Sequence, residues 1–172
     1  DTLVGIPSSG IHTNGFSLVR SVFGIDDDLS VLDGHRDELG RTLGEVLSEP
    51  HRSYVGDVKN IRAGVKTLAH ITGGGLVDNV PRALPEGVGA RIDPGAWETP
   101  SIFALIQNAG EIATGEMYRV FNMGIGMVAV CDPSEANSVI ANVPGSMAIG
   151  TTVAAPTGVE ATARVFIETG TN

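Results

Sequence analysis

SSGIHTNGFSLVR, from Ser8 to Arg20, is the stretch that decides the fold, because a strand, a polar glycine-bracketed loop and a helix start follow one another there. Just before it, Leu3 to Ile6 is a short apolar run with strand character, and Pro7 ends it by removing a backbone donor and fixing φ. Ser8, Ser9 and Gly10 turn the chain. Thr13 and Asn14 have the chemistry of helix caps, Gly15 permits close backbone approach, and Phe16, Leu18, Val19, Val22 and Phe23 give the apolar positions of a short helix. The free N–H groups of that helix point at the loop and carry a partial positive charge suited to phosphate or a developing oxyanion. His12 and Asn14 add side chains able to donate, accept or pass on a proton. On spacing alone, a well-capped turn with an exposed histidine accounts for the same residues.

Two segments downstream have related character. In HITGGG, His70 to Gly75, a strand ends, three glycines let the backbone approach a ligand, and a helix begins near Leu76. A triple glycine also relieves crowding between strand and helix. His70 sits between Ala69 and Ile71, so a buried, hydrogen-bonded role and direct ligand contact are both open. In MYRVFNMGIGM, Met117 to Met127, the residues Asn122 to Gly126 join a helix to a strand, and glycines flank Ile125. A tight turn with amides facing the same cleft explains that pattern, and so does a helix C-cap followed by a strand start. Met117, Met123 and Met127 read as core.

With 172 residues and 17.8 kDa, the chain is long enough for one domain with a real core, and its 23 glycines and 42% hydrophobic content suit a loop-punctuated mixture of strands and helices. The net charge of −9 disfavours nucleic acid and anionic membrane surfaces as partners, yet a few backbone donors and an arginine suffice for a local phosphate site. Cys131 is the single cysteine, so no internal disulfide forms, which suits a cytoplasmic setting. It closes an apolar run and reads as a small buried residue. No signal peptide and no apolar segment of spanning length stands out.

The remaining pattern alternates between the two periods. Helices are expected over Leu39 to Leu47, Tyr54 to Ala63, Leu76 to Ala83, Ser101 to Asn108, Gly115 to Phe121 and Ser134 to Asn142. Strands are expected over Thr67 to Ile71, Gly89 to Ile92, Gly126 to Cys131, Ser146 to Thr151 and Thr162 to Ile167. Ala154 to Gly158 reads as a turn between the last two strands, Asp26 to Asp28 as a solvated loop, and Thr169 to Asn172 as a frayed end. The expected class is α+β, a mixed sheet covered by helices. His35 and His51 lie in polar segments and read as surface residues. One cysteine and four scattered histidines make no zinc pattern, so no metal ligand is assigned. There is no Walker loop, no dinucleotide fingerprint and no nucleophile elbow around Ser8 and Ser9.

These three segments, in this order and with LPEGVGARID between them, resemble the signatures of aminoimidazole ribonucleotide synthetase (phosphoribosylformylglycinamidine cyclo-ligase), in its carboxy-terminal domain. The first loop has Thr13 where the family usually has serine. SEPHRSYVGD, Ser48 to Asp57, departs from the pattern, with His51 where threonine is usual and Ser53 where an aliphatic residue is usual. The resemblance implies that the chain is one carboxy-terminal, substrate-binding domain, preceded in the family by an ATP-binding domain that holds ATP and magnesium and forms a homodimer. It implies a reaction in which formylglycinamidine ribonucleotide is activated by ATP and closes to aminoimidazole ribonucleotide in purine biosynthesis. By the same resemblance His12 and Asn14 are the catalytic candidates, with His12 orienting or exchanging a proton with the activated amide. Ser9, Gly10, Gly15, Thr72, Gly73, Gly74, Gly75 and Asn122 would contact the phosphoribosyl substrate. The rival readings are a related superfamily member, either formylglycinamidine ribonucleotide synthetase or a small-molecule kinase, and a non-catalytic phosphate-ligand or dimerisation module.

Overall fold

Alternation along two strands sets the architecture. In β1 (Thr2–Pro7), Leu3 faces one apolar cluster while Val4 and Ile6 face another. In β6 (Ile125–Cys131), Val128 and Val130 join the first cluster and Ala129 and Cys131 the second, so both strands are buried on both faces. They pair antiparallel from Thr2 opposite Cys131 to Ile6 opposite Met127. The computed structural model describes residues 1–168.

Around this pair the described residues form a six-stranded sheet in the order β4-β6-β1-β7-β5-β8. Its other members are β4 (Thr67–His70), β5 (Val88–Ile92), β7 (Met147–Ala154) and β8 (Val165–Ile167). Every pairing is antiparallel except β5 with β8, which makes the sheet mixed. The larger cluster lies under α1 (Phe16–Phe23), α4 (Gly75–Asn79), α5 (Ser101–Ala109) and α6 (Thr114–Val120). The smaller lies under α3 (Val55–Ile61) and α7 (Ala136–Asn142). This is the expected α+β arrangement.

Several local expectations are corrected. The first strand continues through Pro7, which pairs with Ile125 across a register shift. Helix α1 opens on Gly15 at φ 71° with no side-chain cap, and neither Thr13 nor Asn14 caps it. The expected helix over Leu39 to Leu47 is instead a small hairpin of β2 (His35–Arg36) and β3 (Arg41–Thr42), followed by the short α2 (Leu43–Leu47). Gly40, at φ 65°, turns the hairpin, and a reciprocal capping box between Thr42 and Glu45 starts the helix at Leu43. The segment expected to be helical to Ala83 tightens to a 3-10 turn at Val80, because Pro81 lacks the amide an α-helix needs. A 3-10 turn also replaces the first half of the last expected strand, over Ala161–Arg164. The frayed end expected at Thr169 to Asn172 lies outside the described residues.

Candidate functional site

The loop after β1, the loop after β4 and the loop before β6 are joined by buried asparagines. Asn122 is fully buried; its Nδ2 donates to the Gly10 carbonyl at 2.9 Å, and its Oδ1 accepts from the Gly124 amide at 2.8 Å and the Ser8 hydroxyl at 3.1 Å. The Ser8 amide donates to the Gly124 carbonyl at 2.8 Å. Asn14, also buried, donates from Nδ2 to the Ile71 carbonyl at 3.3 Å, which ties the first loop to the second. Within the second loop, Asn79 Nδ2 donates to the Gly75 carbonyl at 2.8 Å while its Oδ1 accepts from the Thr72 hydroxyl at 3.1 Å. Together these buried amides, Asn14 with one backbone partner, Asn122 with two and Asn79 with three, tie the loops into a single unit.

Glycine serves that unit in different ways. A Cβ on Gly15 would stand 2.3 Å from the Phe121 ring, and one on Gly75 2.1 Å from the Tyr118 carbonyl oxygen, so packing against α6 requires glycine at both. Gly74 has φ 97° and opens α4. A Cβ on Gly73 would meet nothing within 4 Å, so its backbone faces open space.

His12 stands at φ 55° and is only 5% exposed. Its Nε2 accepts from the Ser9 amide at 3.1 Å, which puts the proton of the neutral ring on Nδ1, a buried atom with no hydrogen-bond partner. Burial, then the nearby charges of His51, His70 and Arg52, lower its pKa to about 4, so the ring is neutral at pH 7. The ring of His51 stacks on it with centroids 3.8 Å apart. His70, exposed at the end of β4, brings its Nε2 to 3.4 Å from that of His51, and its pKa is lowered by partial burial and by His51. Tyr54 presents its edge to all of these rings and donates its hydroxyl to the Pro7 carbonyl at 3.0 Å; burial pushes the phenol up to about 12, so it remains a donor.

Ser9 connects the loop to the segment beyond α2. Its hydroxyl donates to the Pro50 carbonyl at 2.7 Å and accepts the Arg52 amide at 3.1 Å. The Arg52 guanidinium is held by Asp57 at 2.8 Å. An open recess of about 270 Å³ lies between Ser9, Gly10, Arg41 and the start of α5 at Ser101. Another, of about 400 Å³, lies between His51, Tyr54, Val58 and His70. Among the described residues, no three His, Cys, Asp or Glu side chains gather in a way that would hold a metal ion. No described helix is long and apolar enough to cross a membrane.

The model of the family described as AIR synthase related protein, C-terminal domain, matches residues 1–161. The chain belongs to that family. It is 51% identical over 139 residues to a phosphoribosylformylglycinamidine cyclo-ligase of Caldicellulosiruptor bescii, covering 80% of this chain and 41% of that protein. Against the proteins of the same name from Thermoanaerobacter pseudethanolicus and Brevibacillus brevis the identities are 47% and 51%, covering 84% and 81% of this chain and 43% and 41% of theirs. The chain therefore spans about two fifths of the length of the curated relatives it matches.

In this AIR synthase related domain, residues singled out in the sequence occupy distinct places. His12, Asn14 and Asn122 are buried supports, Gly15 and Gly75 are packing positions, and Ser9 and Gly10 line a recess, while Gly73 faces open space. His51, read as a surface residue, is exposed but also lies flat on His12, and Arg52 and Tyr54 hold the same neighbourhood. Local spacing carries no sign of this cluster, because His51 reaches His12 from 39 positions away and His70 reaches His51 from 19; SEPHRSYVGD, which holds His51, Arg52 and Tyr54, is the segment that departs from the family pattern.

Proposed function

We propose that this chain is the carboxy-terminal half of an ATP-dependent cyclo-ligase that converts formylglycinamidine ribonucleotide to aminoimidazole ribonucleotide, ADP and phosphate. The observation that carries the reading is the union of the three signature loops through Asn14 and Asn122 in a domain of this family. The names of the relatives support it.

In this reading the chain binds and folds the substrate for ring closure. The phosphoribosyl end occupies the recess beside Ser9 and Gly10, where the first turn of α5 supplies positive potential, while Arg41 on the recess wall is held by Glu49. His12, neutral and held by the Ser9 amide, is a positioning residue: it fixes the Ser8–Gly10 turn through Nε2, and its buried Nδ1 carries the ring proton. Asn14 and Asn122 fix the neighbouring loops in the same way. Ordering a substrate against pre-set groups lowers the barrier by removing the entropy of alignment.

The residues here do not fit magnesium, which demands several oxygen ligands in octahedral array. Two carboxylates beside the loops are each closed on an arginine, Glu49 on Arg41 at 2.9 Å and Asp57 on Arg52 at 2.8 Å. We assign ATP and magnesium to an amino-terminal domain of the kind that the family carries, together with the homodimer contact. The test is calorimetry and turnover on the 172-residue chain. Saturable binding of formylglycinamidine ribonucleotide without ring closure is expected. ATP-dependent ring closure by this chain alone would overturn the division of labour, and no binding would favour the non-catalytic module.

A further inference from the structure

Three of the four histidines, His12, His51 and His70, meet beside Tyr54, and the proposed reaction employs only His12. The Nε2 atoms of His51 and His70 face each other at 3.4 Å, with ring centroids 5.4 Å apart and planes tilted by 58°. That separation is long for a hydrogen bond. Two imidazole nitrogens bound tetrahedrally to one zinc-sized ion lie about 3.3 Å apart with ring centroids about 5.2 Å apart, whereas neighbouring octahedral positions bring the nitrogens to about 3.0 Å. The observed pair matches the tetrahedral case.

We propose that His51 and His70 form a two-histidine site for a tetrahedral divalent transition ion of the zinc or cobalt kind. Water or an anionic oxygen fills the remaining positions. The His51 ring is already immobilised by its stack on His12, and Tyr54 backs both imidazoles with centroids 6.3 and 5.9 Å away, so little rotamer freedom is lost on binding. Both histidines are exposed at the mouth of the 400 Å³ recess, which gives the ion a path in. The charges that face the pair are Arg52, neutralised by Asp57 at 2.8 Å, and Lys59 on the recess wall, so affinity derives from the imidazole nitrogens rather than from net negative charge. The site is a property of these side chains and does not depend on the identity of the reaction.

The experiment is a cobalt(II) titration of the chain without a histidine tag. The wild type should bind one ion and develop the intense visible bands of four-coordinate cobalt, and His51→Thr or His70→Asn should weaken binding by about tenfold or more, while His35→Asn leaves it unchanged. In the unmutated chain, imidazole nitrogen NMR with zinc should shift the signals of His51 and His70 but not His35. Absence of four-coordinate bands, undiminished binding in His51→Thr, or shifts confined to other histidines would overturn the proposal.

Discussion

The imidazole of His51 lies flat on that of His12, with ring centroids 3.8 Å apart and planes 17° from parallel. The upper ring is exposed and the lower is buried, so a surface residue covers the group that holds the Ser8–Gly10 turn. Both the burial of His12 and the nearby charge of His51 depress the His12 pKa. Replacing His51 by threonine uncovers the ring and removes that charge, and both effects raise the pKa. An NMR titration of the His12 ring in His51→Thr should show it above the wild-type value; an unchanged value would separate the two rings energetically.

Acid sensitivity follows from the same histidine. His12 titrates at about 4 in the folded chain and near 6.5 when unfolded, so below pH 6.5 the unfolded state takes up a proton that the folded state refuses. Stability is complete above that value, declines as the pH falls toward 4, and loses about 3 kcal/mol over the interval from this group. His70, also depressed, adds in the same direction. Urea unfolding of His12→Gln across this range should give a flatter profile than the wild type.

Two neighbouring glycines should respond very differently to alanine. At Gly75 the added Cβ meets the Tyr118 carbonyl oxygen at 2.1 Å in a backbone with φ 57°, so Gly75→Ala should cost about 3 kcal/mol or more. At Gly73 an added Cβ meets nothing within 4 Å beyond its chain neighbours, and Gly73→Ala should change stability by no more than about 0.5 kcal/mol. Denaturation midpoints of the two variants check the contrast.

Removing Asn122 should loosen the loops together. Asn122→Ala leaves the buried Gly124 amide without its acceptor and the Gly10 carbonyl with only the Ser8 hydroxyl as donor, a loss of about 2 kcal/mol. Hydrogen exchange should rise in Ser8–Gly10 as well as at Gly124, and a rise at Gly124 alone would deny the coupling.

The sheet and most helices were legible because they follow from local period: the alternation in β1 and β6 and the stripe of α5 are written in adjacent residues. The hairpin before α2 was hidden because Leu39 continues the helical spacing of Leu43, Val46 and Leu47, while Gly40 and the Thr42–Glu45 box override it. The loops of the site were visible as glycine-rich segments, and their type did not reveal which glycines pack and which lie open. Asn14 had the chemistry of a cap, yet its partner, the Ile71 carbonyl, is 57 positions away. The histidine cluster was illegible for the same reason, since no local rule joins positions 12, 51 and 70.

In the proposed enzyme the joined loops form one wall of a ring-closing site, with His12 positioning it. Its most direct test is steady-state ring closure by the enzyme in which this chain is continuous with an ATP-binding domain, comparing wild type, His12→Ala and His12→Gln. His12→Ala should fold and lose about a hundredfold in kcat, and His12→Gln, whose side-chain carbonyl replaces the acceptor for the Ser9 amide, should recover part of that loss. Unchanged turnover in a normally folded His12→Ala enzyme would contradict the account.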